Sequence, residues 1–190
     1  MATEEPKYRV EKTYGDFEVR LYAPVIVAET EVGGEFGKGS NEGFRRLAGY
    51  IFGGNDGGRK IAMTAPVGAE PVRGKAEGTT IAMTAPVGAQ PKGEGWLVTF
   101  TMPSKWTMAS LPVPDDERVR LREVPARRMA AVRFSGTWGA EKFEAVAARL
   151  RDQMRDEGLV PADAPPVFAR YDPPWTPWFL RRNEVLIPIE

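Results

Sequence analysis

The sequence predicts an α+β fold made of two similar halves, and three observations carry that prediction. Apolar and polar residues alternate over several short segments, the period-2 pattern of half-buried strands. Two longer segments repeat apolar residues at helical spacing. The order strand, strand, helix, strand, strand then occurs twice within 190 residues. That length suits one domain, so we expect a single unit over residues 1–190 with pseudo-symmetric halves at about 8–102 and 118–189. About eight antiparallel strands would curve into a sheet or partial barrel with a helix packed on each half. A groove between the halves is then a natural ligand site.

Tyr8 to Tyr14 reads as the first strand, turned by Gly15-Asp16. Phe17, Val19 and Leu21 alternate with Glu18, Arg20 and Tyr22 in the next. Pro24 interrupts the pattern before Val25-Ile26-Val27-Ala28, and the strand resumes to about Val32, where Gly33-Gly34 and Gly37-Lys38-Gly39 end it. Ser40 suits a helix N-cap, because its hydroxyl oxygen can accept from an orphan amide of the first turn. Phe44, Leu47, Ala48 and Ile51 fall at i, i+3, i+4 and i+7, and Gly53-Gly54 stops the helix.

The nine residues Ile61 to Ala69 recur unchanged at Ile81 to Ala89. Two copies are too few for a solenoid, so this is a local duplication of one strand. Only one copy fits a given sheet position, and the first, closer to the helix, is assigned to it. Trp96 to Met102 alternates as the following strand and Pro103 ends it. After the connection from Pro103 to Glu117, Val119 and Leu121 start a strand, Pro125-Ala126 turns, and Met129 to Phe134 returns. Gly136 and Gly139 precede a second helix with Glu141 in its first turn, where a negative charge suits the dipole. Phe143, Val146, Ala147, Leu150 and Met154 form its apolar stripe, and Gly158 ends it. Val167 to Tyr171 and Val185 to Ile189 supply two more strands, with Pro188 marking an edge strand or a strand end.

Composition excludes several function classes. Lys plus Arg and Asp plus Glu are both 26, so the chain lacks the basic excess of a nucleic-acid binder. With no Cys there is no disulfide, thiolate nucleophile, zinc knuckle or iron–sulfur cluster. With no His there is no Ser-His-Asp triad, no H-E-x-x-H helix and no histidine haem ligand. The first residues, Met1 to Pro6, lack the regions of a secretory signal. Apolar runs such as Ala23 to Ala28 fall far short of the ~18 residues that span a bilayer. We expect a cytoplasmic monomer without nucleic-acid or membrane partners.

The segment from Tyr171 to Val185 is the most unusual. Pro173, Pro174 and Pro177 stiffen it, and Trp175, Trp178 and Phe179 place three large rings within five positions. Rings on a rigid loop lose little entropy on binding a flat apolar ligand. Arg181 and Arg182 would pair with carboxylates at its rim. The alternative is that the tryptophans plug one end of the barrel. Met63, Met83 and Met102 are soft-ligand candidates but match core filling at strand spacing, and Tyr50 and Tyr171 suit packing more than iron. The Gly53 to Gly58 run follows a helix and lacks a Gly-Lys-Ser/Thr ending, so it is no phosphate loop. Glu42, Asp172 and Glu184 are candidate acids, but no spacing makes a catalytic pair, and Glu184 beside Arg181-Arg182 reads as an ion pair.

Four motifs in order carry a family resemblance. They are the helix ending Gly53-Gly54-Asn55-Asp56, the strand Met63-Thr64-Ala65-Pro66-Val67, the strand end Phe100-Thr101-Met102-Pro103, and Tyr171-Asp172-Pro173-Pro174 running into Arg181-Arg182-Asn183-Glu184-Val185. From about Tyr8 to Ile189 the chain resembles the SOUL haem-binding family. The resemblance implies a distorted antiparallel β-barrel with two flanking helices and a pseudo-twofold ββαββ duplication. It also implies likeness to effector-binding domains of some bacterial regulators. Its known members bind haem or another tetrapyrrole in an apolar groove between the first helix and the loop before the last strand. On this sequence that groove would use Phe44, Leu47, Tyr50 and Ile51 with Trp175, Trp178 and Phe179, and Met63 on the matching strand. Arg45 or Arg46, with Arg181, would meet the propionates. Axial histidine ligation is impossible, and Tyr50 and Thr176 stand where haem-binding relatives carry lysines. The expectation is non-catalytic binding of haem or a porphyrin without a resident metal site. A general small-molecule effector module and an enzyme using Glu or Tyr as acid and base are the alternatives.

Overall fold

The computed structural model describes residues 4–56, 81, 83–173 and 175–190. Nine strands form one antiparallel sheet: β1 Tyr8–Tyr14, β2 Phe17–Tyr22, β3 Val25–Gly33, β4 Val87–Lys92, β5 Gly95–Thr101, β6 Arg120–Val124, β7 Arg127–Phe134, β8 Val167–Arg170 and β9 Asn183–Pro188. Helix α1, Phe36–Ile51, joins β3 to the segment before β4, and α2, Ala140–Asp156, joins β7 to β8. The sheet order is β1-β2-β7-β9-β8-β4-β5-β3-β6. Read outward from the β4–β8 seam, it runs β4-β5-β3-β6 one way and β8-β9-β7-β2 the other. Each half's leading strand therefore pairs with the other half: β2 lies on β7, and β6 lies on β3. The result is a curled, distorted antiparallel barrel with two helices.

Both helices cover the same face. Leu47, Ile51, Phe143, Leu150 and Met154 are sealed against Val98, Phe100, Phe168, Val185 and Ile187 in one core. The opposite face holds a smaller cluster of Met129, Ala131, Val167, Ala169 and Leu186, with Tyr22 and Tyr171 at its margin. Pro188 ends β9, a central strand, where its missing N–H breaks no ladder interior.

Two expectations are corrected. Helix α1 begins at Phe36, with Glu35 as N-cap, and not at Ser40, whose buried hydroxyl donates to the Gly37 carbonyl. Gly33-Gly34 do end β3, but Gly39 lies inside α1 and serves close packing: a Cβ there would sit 2.9 Å from the Gly33 carbonyl oxygen. The second correction concerns the duplication. The sheet position beside β5 and β8 is taken by the second copy, which supplies Val87, Gly88 and Ala89 of β4. The first copy, residues 61–69, lies outside the described residues. The second copy wins that place because it reaches β5 through a short turn, with Gly93 at φ 56°, and a short loop costs little to close. Among the described residues, no helix is long and apolar enough to cross a membrane.

Gly43 shows how tightly α1 sits on the sheet, since an added Cβ would meet Val98 Cγ2 at 2.6 Å and its Cβ at 2.8 Å. Val98 is fully buried and stiff at χ1, so the backbone must give. Gly43→Ala should lower stability in urea denaturation by about 1–3 kcal/mol despite its better helix propensity. Gly49→Ala, with open space around the new methyl, should raise it by about 0.5–1 kcal/mol.

Candidate functional site

The β8–β9 connection carries the aromatic loop, and both faces of its base are pinned. On the face away from the helices, Glu184 is fully buried. It accepts from Arg20 Nη1 at 2.9 Å, Tyr171 Oη at 2.7 Å and Arg182 Nη2 at 3.1 Å. Arg20 also lies 4.4 Å from the Tyr8 ring centre, and Arg182 lies 3.8 Å from that of Tyr171. Burial acts first on the Arg20 guanidinium and would lower its pKa, but the Glu184 charge and its hydrogen bonds raise it overall. Burial pushes the Tyr171 phenol far above its usual range, helped by the Glu184 charge, and pushes Tyr22 up to about 12. With its oxygens so engaged, Glu184 serves as an ion-pair centre. Arg181, expected in that pair, turns instead to the other face.

On the helix-covered face, the fully buried Asn183 accepts from Trp138 Nε1 at 2.9 Å and donates to the Gly136 carbonyl at 3.2 Å. The Arg181 guanidinium lies 4.3 Å from the Trp138 ring centre, and its Nε donates to the Thr176 carbonyl at 2.8 Å. Asp172 accepts from the Arg182 amide at 2.5 Å, and the Leu180 amide donates to the Pro177 carbonyl at 2.9 Å. A short 3-10 turn, Trp178–Leu180, sits at the tip. The prolines and these bonds hold Trp175, Trp178, Phe179 and Leu180 out in solvent at 62, 58, 58 and 64 % exposure. The tryptophans therefore do not plug the barrel.

The α1 side differs from expectation. Leu47, Tyr50 and Ile51 are sealed in the core, because the same helical stripe that suits a groove wall is what α1 needs to pack on β3 and β5. Tyr50 donates to the Pro112 carbonyl at 2.9 Å, and burial pushes its phenol up to about 12, with the Asp56 charge adding to the shift. Phe44 is half-buried, its ring centre 5.3 Å from that of Phe100. Arg46 is held by Glu42, by Thr30 Oγ1 at 2.9 Å and by the Glu31 carbonyl at 3.0 Å. The exposed Arg45 lines, with Arg46 and Tyr50, an open cleft of about 400 Å³ beside Asp116 and Arg118. A larger cavity of about 720 Å³ lies between the segment from Glu4 to Lys7 and Trp106. Neither is lined by the aromatic loop. Met63 lies outside the described residues, while Met83 and Met102 pack into the core. Among the described residues, no group of three or more acidic side chains is arranged to hold a metal ion.

Arg20 and Trp138 escaped the sequence reading. Arg20 sits at an alternating position that looks like a solvent face, yet that face is a second interior. Its carboxylate partner, Glu184 on β9, is remote in sequence, and the Tyr8 ring comes from β1.

These features define a class: a curled antiparallel barrel with both helices on one face and a rigid aromatic loop between its central strands. A family model described as SOUL heme-binding protein matches residues 3–188, and the chain belongs to that family. Heme-binding protein 1 of Xenopus laevis is 30 % identical over 170 residues, covering 89 % of this chain and 81 % of that protein. Among solved structures, the EcmrR C-terminal domain aligns with TM-score 0.59 and 13 % identity over 96 % of this chain and 98 % of that one. A hydrolase from Listeria innocua aligns with TM-score 0.54 and 12 % identity over 92 % of each chain. At those identities the two structures share the fold.

The Glu184 cluster predicts a large stability effect. Glu184→Ala leaves the nearly buried Arg20 without its carboxylate and should cost about 3–5 kcal/mol, read as a lower urea midpoint at unchanged slope.

Proposed function

We propose that the protein binds haem or another tetrapyrrole without catalysis, as ligand and not as a coordinated prosthetic group. The observation that carries this reading is the aromatic loop. Large apolar side chains held rigidly in water at more than half exposure are unusual in a folded chain and mark a binding surface. A flat macrocycle suits it: Trp178 and Phe179 meet edge to face at 5.6 Å and offer two ring surfaces at right angles. Membership of the SOUL family and the likeness to Heme-binding protein 1 support the ligand class.

The residues present fit the macrocycle better than its iron. The chain has no histidine or cysteine, and Tyr50 is buried with its proton committed to a carbonyl. Attraction then comes from stacking, burial and charge pairing with the propionates, with Arg181 beside the ridge. Without an iron bond, affinity should be about micromolar, near −8 kcal/mol. Arg45 and Arg46 belong to a cleft that the ridge does not line, so we assign them no role in this binding.

Two measurements test this. Calorimetry with iron-free protoporphyrin should give nearly the affinity seen with hemin, and a large preference for the iron form contradicts binding without coordination. Trp178→Ala should weaken either ligand about tenfold while shifting stability by no more than about 0.5 kcal/mol, because the ring is mostly exposed.

A further inference from the structure

Arg170 ends β8 on the helix-covered face, and 9 % of its surface is exposed. Buried arginines normally meet a carboxylate or several carbonyls. Arg20, on the sheet's other face, does so. Arg170 makes no hydrogen bond or ion pair among the described residues. Its guanidinium carbon lies 5.0 Å from the Trp138 ring centre and 5.6 Å from that of Phe36. Burial, uncompensated, pulls its pKa down to about 10, so it is still charged at neutral pH.

Its two aromatic neighbours stand at helix starts. Phe36 is the first residue of α1, and Trp138 stands two positions before the first residue of α2. Neither helix has a side-chain cap on its first amides. The two rings that contact the guanidinium thus stand at the start of α1 and just before α2, whose dipole ends are positive. The Arg181 guanidinium also lies against Trp138, 4.3 Å from its ring centre. That same residue directly follows the exposed ridge of Trp178 to Leu180.

We propose that Arg170 is the anion-binding residue of the aromatic-loop site and takes a carboxylate group of the ligand. One carboxylate is enough to compensate the single guanidinium that is buried without an ion-pair partner among the described residues. A planar carboxylate also suits the two-pronged guanidinium. The ligand class is thus a flat apolar body carrying an acid arm, with the body on the ridge and the acid reaching the Trp138–Arg170 end. This deepens the tetrapyrrole reading and rests on the same loop, but it does not require a macrocycle.

The test uses the full chain and two pyrene probes of one shape: pyrenebutyrate, with a carboxylate, and pyrenebutanol, without charge. Energy transfer from tryptophan to pyrene reads binding. The wild-type chain should prefer the acid about tenfold. In Arg170→Met, which keeps an apolar stem between the rings, the two probes should bind equally. Arg170→Lys, retaining the charge but not the fork, should keep part of the preference, and it serves if the methionine variant does not fold. Equal binding of the probes by the wild-type chain, binding of neither, or an acid preference that survives Arg170→Met overturns the proposal. A hemin titration run alongside separates the two readings. Loss of hemin binding with the acid preference intact removes only the tetrapyrrole assignment.

Discussion

Everything proposed for this molecule depends on the clamp at the base of the β8–β9 connection. Exposed tryptophans on a slack loop would collapse onto the nearest apolar surface, or their ordering would cost much of any binding free energy. Here Glu184 anchors one face through Arg20, Tyr171 and Arg182, and Asn183 anchors the other through Trp138. These adjacent residues of one strand point to opposite faces, as the pleat requires, so a single dipeptide fixes the loop from both sides. The central place of β8 and β9 in the sheet makes the clamp rigid.

The interlocked strands place the proposed site at the middle of the sheet. Because β2 pairs with β7 and β6 with β3, each half completes the other's sheet and the seam runs between β4 and β8. The N-termini of α1 and α2 converge over that seam, where Phe36, Phe143 and Phe168 meet. Positive dipole ends and a buried arginine are thereby brought beside the aromatic loop. The fold is shared with the EcmrR C-terminal domain and with a hydrolase from Listeria innocua at 13 and 12 % identity, so the likeness carries the fold and not its use.

Much of the architecture was legible in the sequence because each strand keeps one face buried and each helix keeps one stripe. Phe143, Ala147, Leu150 and Met154 mark α2 by spacing alone, and all are sealed. The aromatic loop was legible from its prolines and rings. What misled was context. Gly39 read as part of a break, yet glycine also permits close approach, and only the position of Gly33 and Val32 decides between these uses. Leu47, Tyr50 and Ile51 read equally as groove wall or core, because periodicity gives a face without saying what covers it. Arg20 and Arg170 look like solvated charges on short strands. Arg20 meets a carboxylate 164 positions away, and Arg170 meets rings from the start of α1 and the segment before α2.

The most direct measurement is of where a porphyrin lands. Five indole N–H signals, from Trp96, Trp106, Trp138, Trp175 and Trp178, can be followed by NMR as iron-free protoporphyrin is added. If the clamped loop is the site, ring-current shifts appear at Trp175, Trp178 and Trp138, while buried Trp96 and the cavity residue Trp106 stay in place. Shifts confined to Trp106 or Trp96, with Trp175 and Trp178 unmoved, would contradict it.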